Sequence, residues 1–138
     1  LHWKKDEMST IHANYKILVV DSSMIVAERI NQMLTELECI EKVFKAFNYS
    51  QALDILSKQN FDIVLLDTQL PGKNGFELLS FIKRSYPETK TIILTNQSGN
   101  FYRSKGEKIG SDHFIDKSSE FEKILQIINS YSEGFQMN

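Results

Sequence analysis

Phe61-Asp62-Ile63-Val64-Leu65-Leu66-Asp67-Thr68-Gln69-Leu70-Pro71-Gly72-Lys73-Asn74-Gly75 is the stretch on which the fold turns. It begins as a nearly continuous apolar run. At Asp67 it changes to polar residues, then passes through a proline and two glycines. A run this short and this rich in branched residues reads as a strand buried on both faces, as in a parallel sheet. Two similar runs lie on either side of it. Ile17-Leu18-Val19-Val20 ends in Asp21, and Thr91-Ile92-Ile93-Leu94 ends in Thr95. Residues 43–47 and 113–115 carry weaker strand signals.

Helical patterns separate the strands. Val26, Ile30, Met33, Leu34 and Leu37 recur at three- and four-residue spacing, which lines them along one face. Ala52, Leu53 and Leu56 repeat the pattern behind Asn48, a candidate N-cap. Phe76, Leu79 and Ile82 follow Gly75, and Pro87 stops that helix. Phe121, Ile124, Leu125, Ile128 and Tyr131 form the last stripe, with Ser119 and Glu122 spaced as a capping box. Residues 100–109 carry Gly106 and few apolar side chains, so a short or mobile fourth helix is expected there. Strand then helix, five times over, predicts an α/β doubly wound fold. Such folds place their ligand outside the carboxyl ends of the strands. Asp21, Ser22, Asp67, Thr95 and Lys117 stand at those ends.

Composition excludes several classes. The 138 residues suit one domain with a core of its own. A net charge of -2 gives no footprint for nucleic acid. The single cysteine, Cys39, forbids an internal disulfide and favours a reducing, cytoplasmic setting. No apolar run is long enough to span a membrane, and residues 1–14 lack the apolar core of a signal peptide. Those residues read as a leader, with Met8 as a candidate natural start; residues 15–132 form the domain and 133–138 a tail. Trp3 lies in the leader, and His2, His12 and His113 have no ligand-like spacing.

The strand-end residues suit one chemistry. Two carboxylates brought together repel unless they share a cation, and Mg²⁺ or Mn²⁺ needs only one or two of them plus a phosphate oxygen. A carboxylate is also a nucleophile toward phosphorus. An ammonium such as Lys117 and a hydroxyl such as Thr95 would then neutralise charge on the phosphoryl oxygens.

With Ile17-Leu18-Val19-Val20-Asp21, Asp67 through Gly75, Leu94-Thr95 and Asp116-Lys117-Ser118 in order, the chain from Lys16 to about Tyr131 resembles a response-regulator receiver domain. The resemblance implies a flavodoxin-like five-stranded sheet of order 2-1-3-4-5. It makes Asp67 the acceptor of a phosphoryl group from a phosphohistidine. It assigns Asp21, Asp67 and the backbone carbonyl of Gln69 to Mg²⁺, with Ser22 a further candidate ligand. Thr95 and Lys117 would contact the phosphoryl group, and Phe114 would be the aromatic that follows Thr95 in a conformational switch. Side chains of Gln69 and Gln97 match positions that tune hydrolysis. Implied partners are a sensor histidine kinase or histidine phosphotransfer protein and a downstream effector. Neither nucleic acid nor membrane is expected as a direct partner, and no turnover of an external substrate is expected.

Two departures stand out. Ser22 replaces the second acid of the family's metal pocket, which predicts weaker metal binding and slower phosphorylation. Ser118 replaces the usual proline after the lysine, so that turn need not be fixed as a cis bond. Three other readings compete. A pseudo-receiver would keep the fold as a protein-binding module without the phosphochemistry. A phosphoaspartate hydrolase wants an acid two residues after the nucleophile, where Gln69 stands. A flavodoxin-like cofactor binder wants no carboxylate beside its phosphate loop, and Asp21 is there.

Overall fold

Strand and helix alternate five times along the residues that the computed structural model describes, 14–96 and 100–137. In order they are β1 Tyr15–Val20, α1 Met24–Thr35, β2 Ile40–Ala46, α2 Tyr49–Lys58 and β3 Ile63–Asp67. Then follow α3 Gly75–Ser85, β4 Lys90–Thr95, α4 Asn100–Ile109, β5 His113–Asp116 and α5 Lys123–Met137. The strands make one parallel sheet of order β2-β1-β3-β4-β5, the order that the receiver resemblance implies. Trp3, Met8, His2, His12 and Gln97 lie outside the described residues.

The three long apolar runs became the three inner strands because both of their faces are covered. Side chains alternate across a strand, so each run feeds two cores. Ile17, Val19, Ile63, Leu65, Ile92 and Leu94 meet Ala27, Ile30 and Leu34 of α1 and Ile124 and Ile128 of α5. Leu18, Val20, Val64, Leu66 and Ile93 meet Ala52 and Leu56 of α2, and Leu78, Leu79 and Ile82 of α3. Each such side chain contributes roughly 1.5–3 kcal/mol by leaving water. Cys39 is buried in the first core, as a small hydrophobe. Among the described residues no helix is long and apolar enough to cross a membrane.

Helix starts are fixed by side-chain oxygens that accept otherwise orphaned N–H groups. Ser23 Oγ accepts from Val26 N at 3.2 Å, Asn48 Oδ1 from Gln51 N at 2.8 Å, and Asn74 Oδ1 from Glu77 N at 3.0 Å. The expected capping box at Ser119 and Glu122 is not what starts the last helix. α5 begins only at Lys123, and Glu120 returns its carboxylate to Asp116 N at 3.1 Å. The tight turn after β5 uses up residues 117–120, which shifts the helix along the chain. α5 also runs on to Met137, through most of the stretch read as a tail. α4 is a full ten-residue helix rather than a short one, and Gly106 is its buried residue. There a Cβ would meet Ile93 at 3.7 Å and Phe114 at 3.9 Å, which are ordinary contact distances.

Candidate functional site

At the carboxyl ends of β1, β3 and β5 the chain gathers Asp21, Asp67 and Lys117. Lys117 Nζ donates to Asp21 Oδ2 at 2.7 Å and to Asp67 Oδ2 at 2.8 Å. All three side chains are nearly withdrawn from water, at 1%, 9% and 6% exposure. The acids that the sequence left 46 residues apart are therefore joined by one ammonium. Their remaining oxygens are engaged by backbone. Asp21 Oδ1 accepts from Ser23 N at 2.8 Å, and Asp67 Oδ1 from Gln69 N at 3.0 Å.

Burial sets the electrostatics. Desolvation raises the Asp67 pKa above the usual carboxylate value, helped by the Asp21 charge. The Gln69 N–H and the Lys117 ammonium oppose this without cancelling it. For Lys117, burial works downward, but its hydrogen bonds to Asp21 and Asp67 and their charges outweigh it, and its pKa is raised. At formal charges the trio is two carboxylates and one ammonium, with one negative charge left over.

That leftover charge is the fit test for a metal. Among the described residues no cluster of three or more histidine, cysteine or acidic side chains is placed to grip an ion. A hard cation that keeps most of its water needs only one or two carboxylates. Asp21 and Asp67 meet that requirement, and the exposed Ser22 beside them adds a neutral hydroxyl. The residues present fit Mg²⁺ or Mn²⁺ held through a largely aqueous shell.

Thr95 ends β4, fully buried, and takes a hydrogen bond from Thr68 Oγ1 at 3.2 Å. Its carbonyl accepts from Lys117 N at 2.7 Å, which ties the β4 and β5 ends together. Phe114 is 9% exposed and packs in the core beneath α4, with the Arg103 guanidinium 4.7 Å above its ring. The Gln69 side chain is exposed. Glycine is obligatory at position 75. A Cβ there would stand 1.8 Å from the Asp67 carbonyl oxygen, and Gly75 N donates to Thr68 O at 2.8 Å. Gly72, at φ 94°, supplies the left-handed turn between them.

Three features escaped the sequence reading. Thr68 reaches Thr95, a pairing across two strands that linear spacing does not reveal. His113, taken as incidental, bonds Tyr131 through Nε2 at 2.8 Å. Asp116 fastens the turn that carries Lys117, and its spacing to Ser118 was the available clue, since Asp bonds readily to the backbone two residues on.

Comparison with known proteins identifies the fold and the family. The Fimbriae Z protein of Salmonella typhimurium is 28% identical over 119 residues, which are 86% of this chain and 57% of that protein. The chain spans about half the length of several of the curated relatives it matches and 89% of Protein PilG of Pseudomonas aeruginosa. Among solved structures, the BeF3-activated receiver domain of DrrB from Thermotoga maritima superposes with a TM-score of 0.78 at 28% identity, covering 86% of this chain and 97% of that one. The receiver domain of Francisella response regulator 1452 gives 0.78 at 26% identity, over 87% and 98%. A family model described as the response regulator receiver domain matches residues 17–129. Because that match runs from inside β1 into α5 and so takes in all five strands, the chain belongs to the family of response regulator receiver domains.

Proposed function

We propose that this receiver domain is a signalling switch that accepts a phosphoryl group on Asp67 and is read by a partner in that state. The observation that carries the reading is the Lys117 ammonium, shared at 2.7 and 2.8 Å between two buried carboxylates. A purely structural lysine gains little from such a place, because desolvating three ionised groups is costly.

An Asp67 carboxylate oxygen attacks phosphorus of a phosphohistidine. The P–O bond forms as the P–N bond breaks, and the imidazole leaves. Lys117 swings from the carboxylates toward the phosphoryl oxygens. Thr95 turns its hydroxyl to the same group; Asp21, Asp67 and the carbonyl of Gln69 are the groups that would hold the metal. Mg²⁺, when bound, supplies positive charge that stabilises the transferring group. Charge counting supports its part. The resting trio carries -1; converting Asp67 to an acyl phosphate alone takes the site to about -2, and a divalent cation returns it to about zero. The Thr95 movement alters the ground beneath α4, where Phe114 lies. The donor is a sensor kinase or phosphotransfer protein and the reader an effector protein or domain, in the cytoplasm.

The test is incubation with acetyl phosphate and Mg²⁺, read by intact mass beside Asp67→Asn. One added phosphoryl group, lost without Mg²⁺ and absent from the variant, is the expected result. Ser22 favours a second reading, a pseudo-receiver that binds its partner unmodified. Failure to form any adduct at high Mg²⁺ would establish that reading over the first.

A further inference from the structure

Lys117 must reach across to two acids from a turn that lacks proline, and the turn is fastened instead by side chains. Asp116 Oδ1 accepts from both Ser118 N and Ser118 Oγ. Asp116 N donates to Glu120 Oε1 at 3.1 Å, and Asp116 O accepts from Glu120 N at 2.7 Å. Lys117 N, between them, is fixed to Thr95 O at 2.7 Å. Lys117 is thus held by hydrogen bonds on each side, while its own side chain leaves the turn for Asp21 and Asp67.

We propose that the Asp116–Ser118 clasp positions Lys117, so that the Ser118 hydroxyl is a positioning residue for the phosphoryl site although it touches none of the reacting groups. The inference rests on the reading of Asp67 as the phosphoacceptor only for its catalytic consequence. A lysine side chain has many rotamers to lose, and a free backbone beneath it adds more to be frozen each time the ammonium engages. Proline at 118 would limit that freedom by its ring. Here a carboxylate accepting two hydrogens from one serine does so, and those two bonds hold the Asp116 pKa below the usual carboxylate range. An aspartate bonding two residues ahead is by itself a common turn device. What sets this one apart is that the residue enclosed between its two ends is Lys117, whose amide is tied to Thr95.

Ser118 is exposed, so its replacement leaves the core intact. The measurement pairs Ser118→Ala with Ser118→Thr, which restores a hydroxyl. The first readout needs no phosphorylation: the ¹H–¹⁵N signal of the Lys117 ammonium at fixed pH without metal, visible while those protons are held in hydrogen bonds. The second is the initial rate of phosphorylation by acetyl phosphate at saturating Mg²⁺. Ser118→Ala is expected to weaken the ammonium signal and to slow phosphorylation about fivefold, the worth of one hydrogen bond. Ser118→Thr is expected to recover both. An undiminished ammonium signal in Ser118→Ala, or equal loss in both variants, overturns the proposal. If the parent itself takes up no phosphoryl group, the switch reading falls, and the ammonium signal alone still decides the clasp.

Discussion

Asp67 is ionisable, nearly buried and beside a second carboxylate, and its pKa lies above the usual value. The sign of the linkage follows. Between the ordinary and the raised pKa the native state holds more protons than the unfolded chain, so stability falls as pH rises through that window. Above it the full penalty applies. Asp67→Asn removes the charge at nearly constant shape and leaves Lys117 paired with Asp21. The variant is expected to be more stable than the parent at pH 7 by on the order of 1 kcal/mol. The gap should close as pH falls below about 3.9, where the unfolded carboxyl is also protonated. Urea midpoints at pH 7 and in acid test this, and a variant less stable than the parent at pH 7 would contradict it. The negative charge that Lys117 leaves unneutralised would make the pocket receptive to a cation.

At the scale of elements, β5 and α5 are joined by a polar pair within apolar packing, His113 Nε2 to Tyr131 Oη at 2.8 Å. Burial, with the charges of Asp112 and Tyr15, pushes the Tyr131 hydroxyl up to about 12. An unfolded tyrosine ionises near 10, so the parent loses stability between about pH 10 and 12. Tyr131→Phe should lose about 1 kcal/mol at neutral pH and show a shallower decline through the alkaline window. Parallel pH profiles for parent and variant would refute the pairing. These two elements also show where sequence reading stops. β1, β3 and β4 were legible because both faces of each are covered, which writes an unbroken apolar run. β2 and β5 are edge strands; β2 is mostly half-buried and β5 only four residues long, so their signals were faint. The α5 start was misplaced because Ser119 and Glu122 have capping-box spacing, while Asp116 and Glu120 engage each other first. Asp21, Asp67 and Lys117 were legible as strand-end residues of the right chemical types. Thr68 and Ser118 were not, because what they do depends on which neighbour the fold puts opposite them.

At the scale of the whole molecule, the site draws on β1, β3, β4 and β5, and β2 alone adds no residue to it. Whatever binds the native site therefore acts on the whole folding equilibrium. If Asp21 and Asp67 hold Mg²⁺, a concentration ten times the dissociation constant raises stability by about 1.4 kcal/mol. Asp21→Asn should abolish most of that gain. Thermal midpoints with Mg²⁺ and with a chelator provide the check, and an equal Mg²⁺ response in both proteins would remove Asp21 from the metal's ligands.

The span between Asp21 and Lys117 matters also for how the protein comes into being. Synthesis delivers the acids first and their ammonium 96 residues after Asp21. A nascent chain that has laid down β1, β3 and β4 has two carboxylates converging with nothing between them. Only the final edge strand brings the neutralising charge. A truncated product ending before residue 117 would keep both acids and lack the ammonium that joins them.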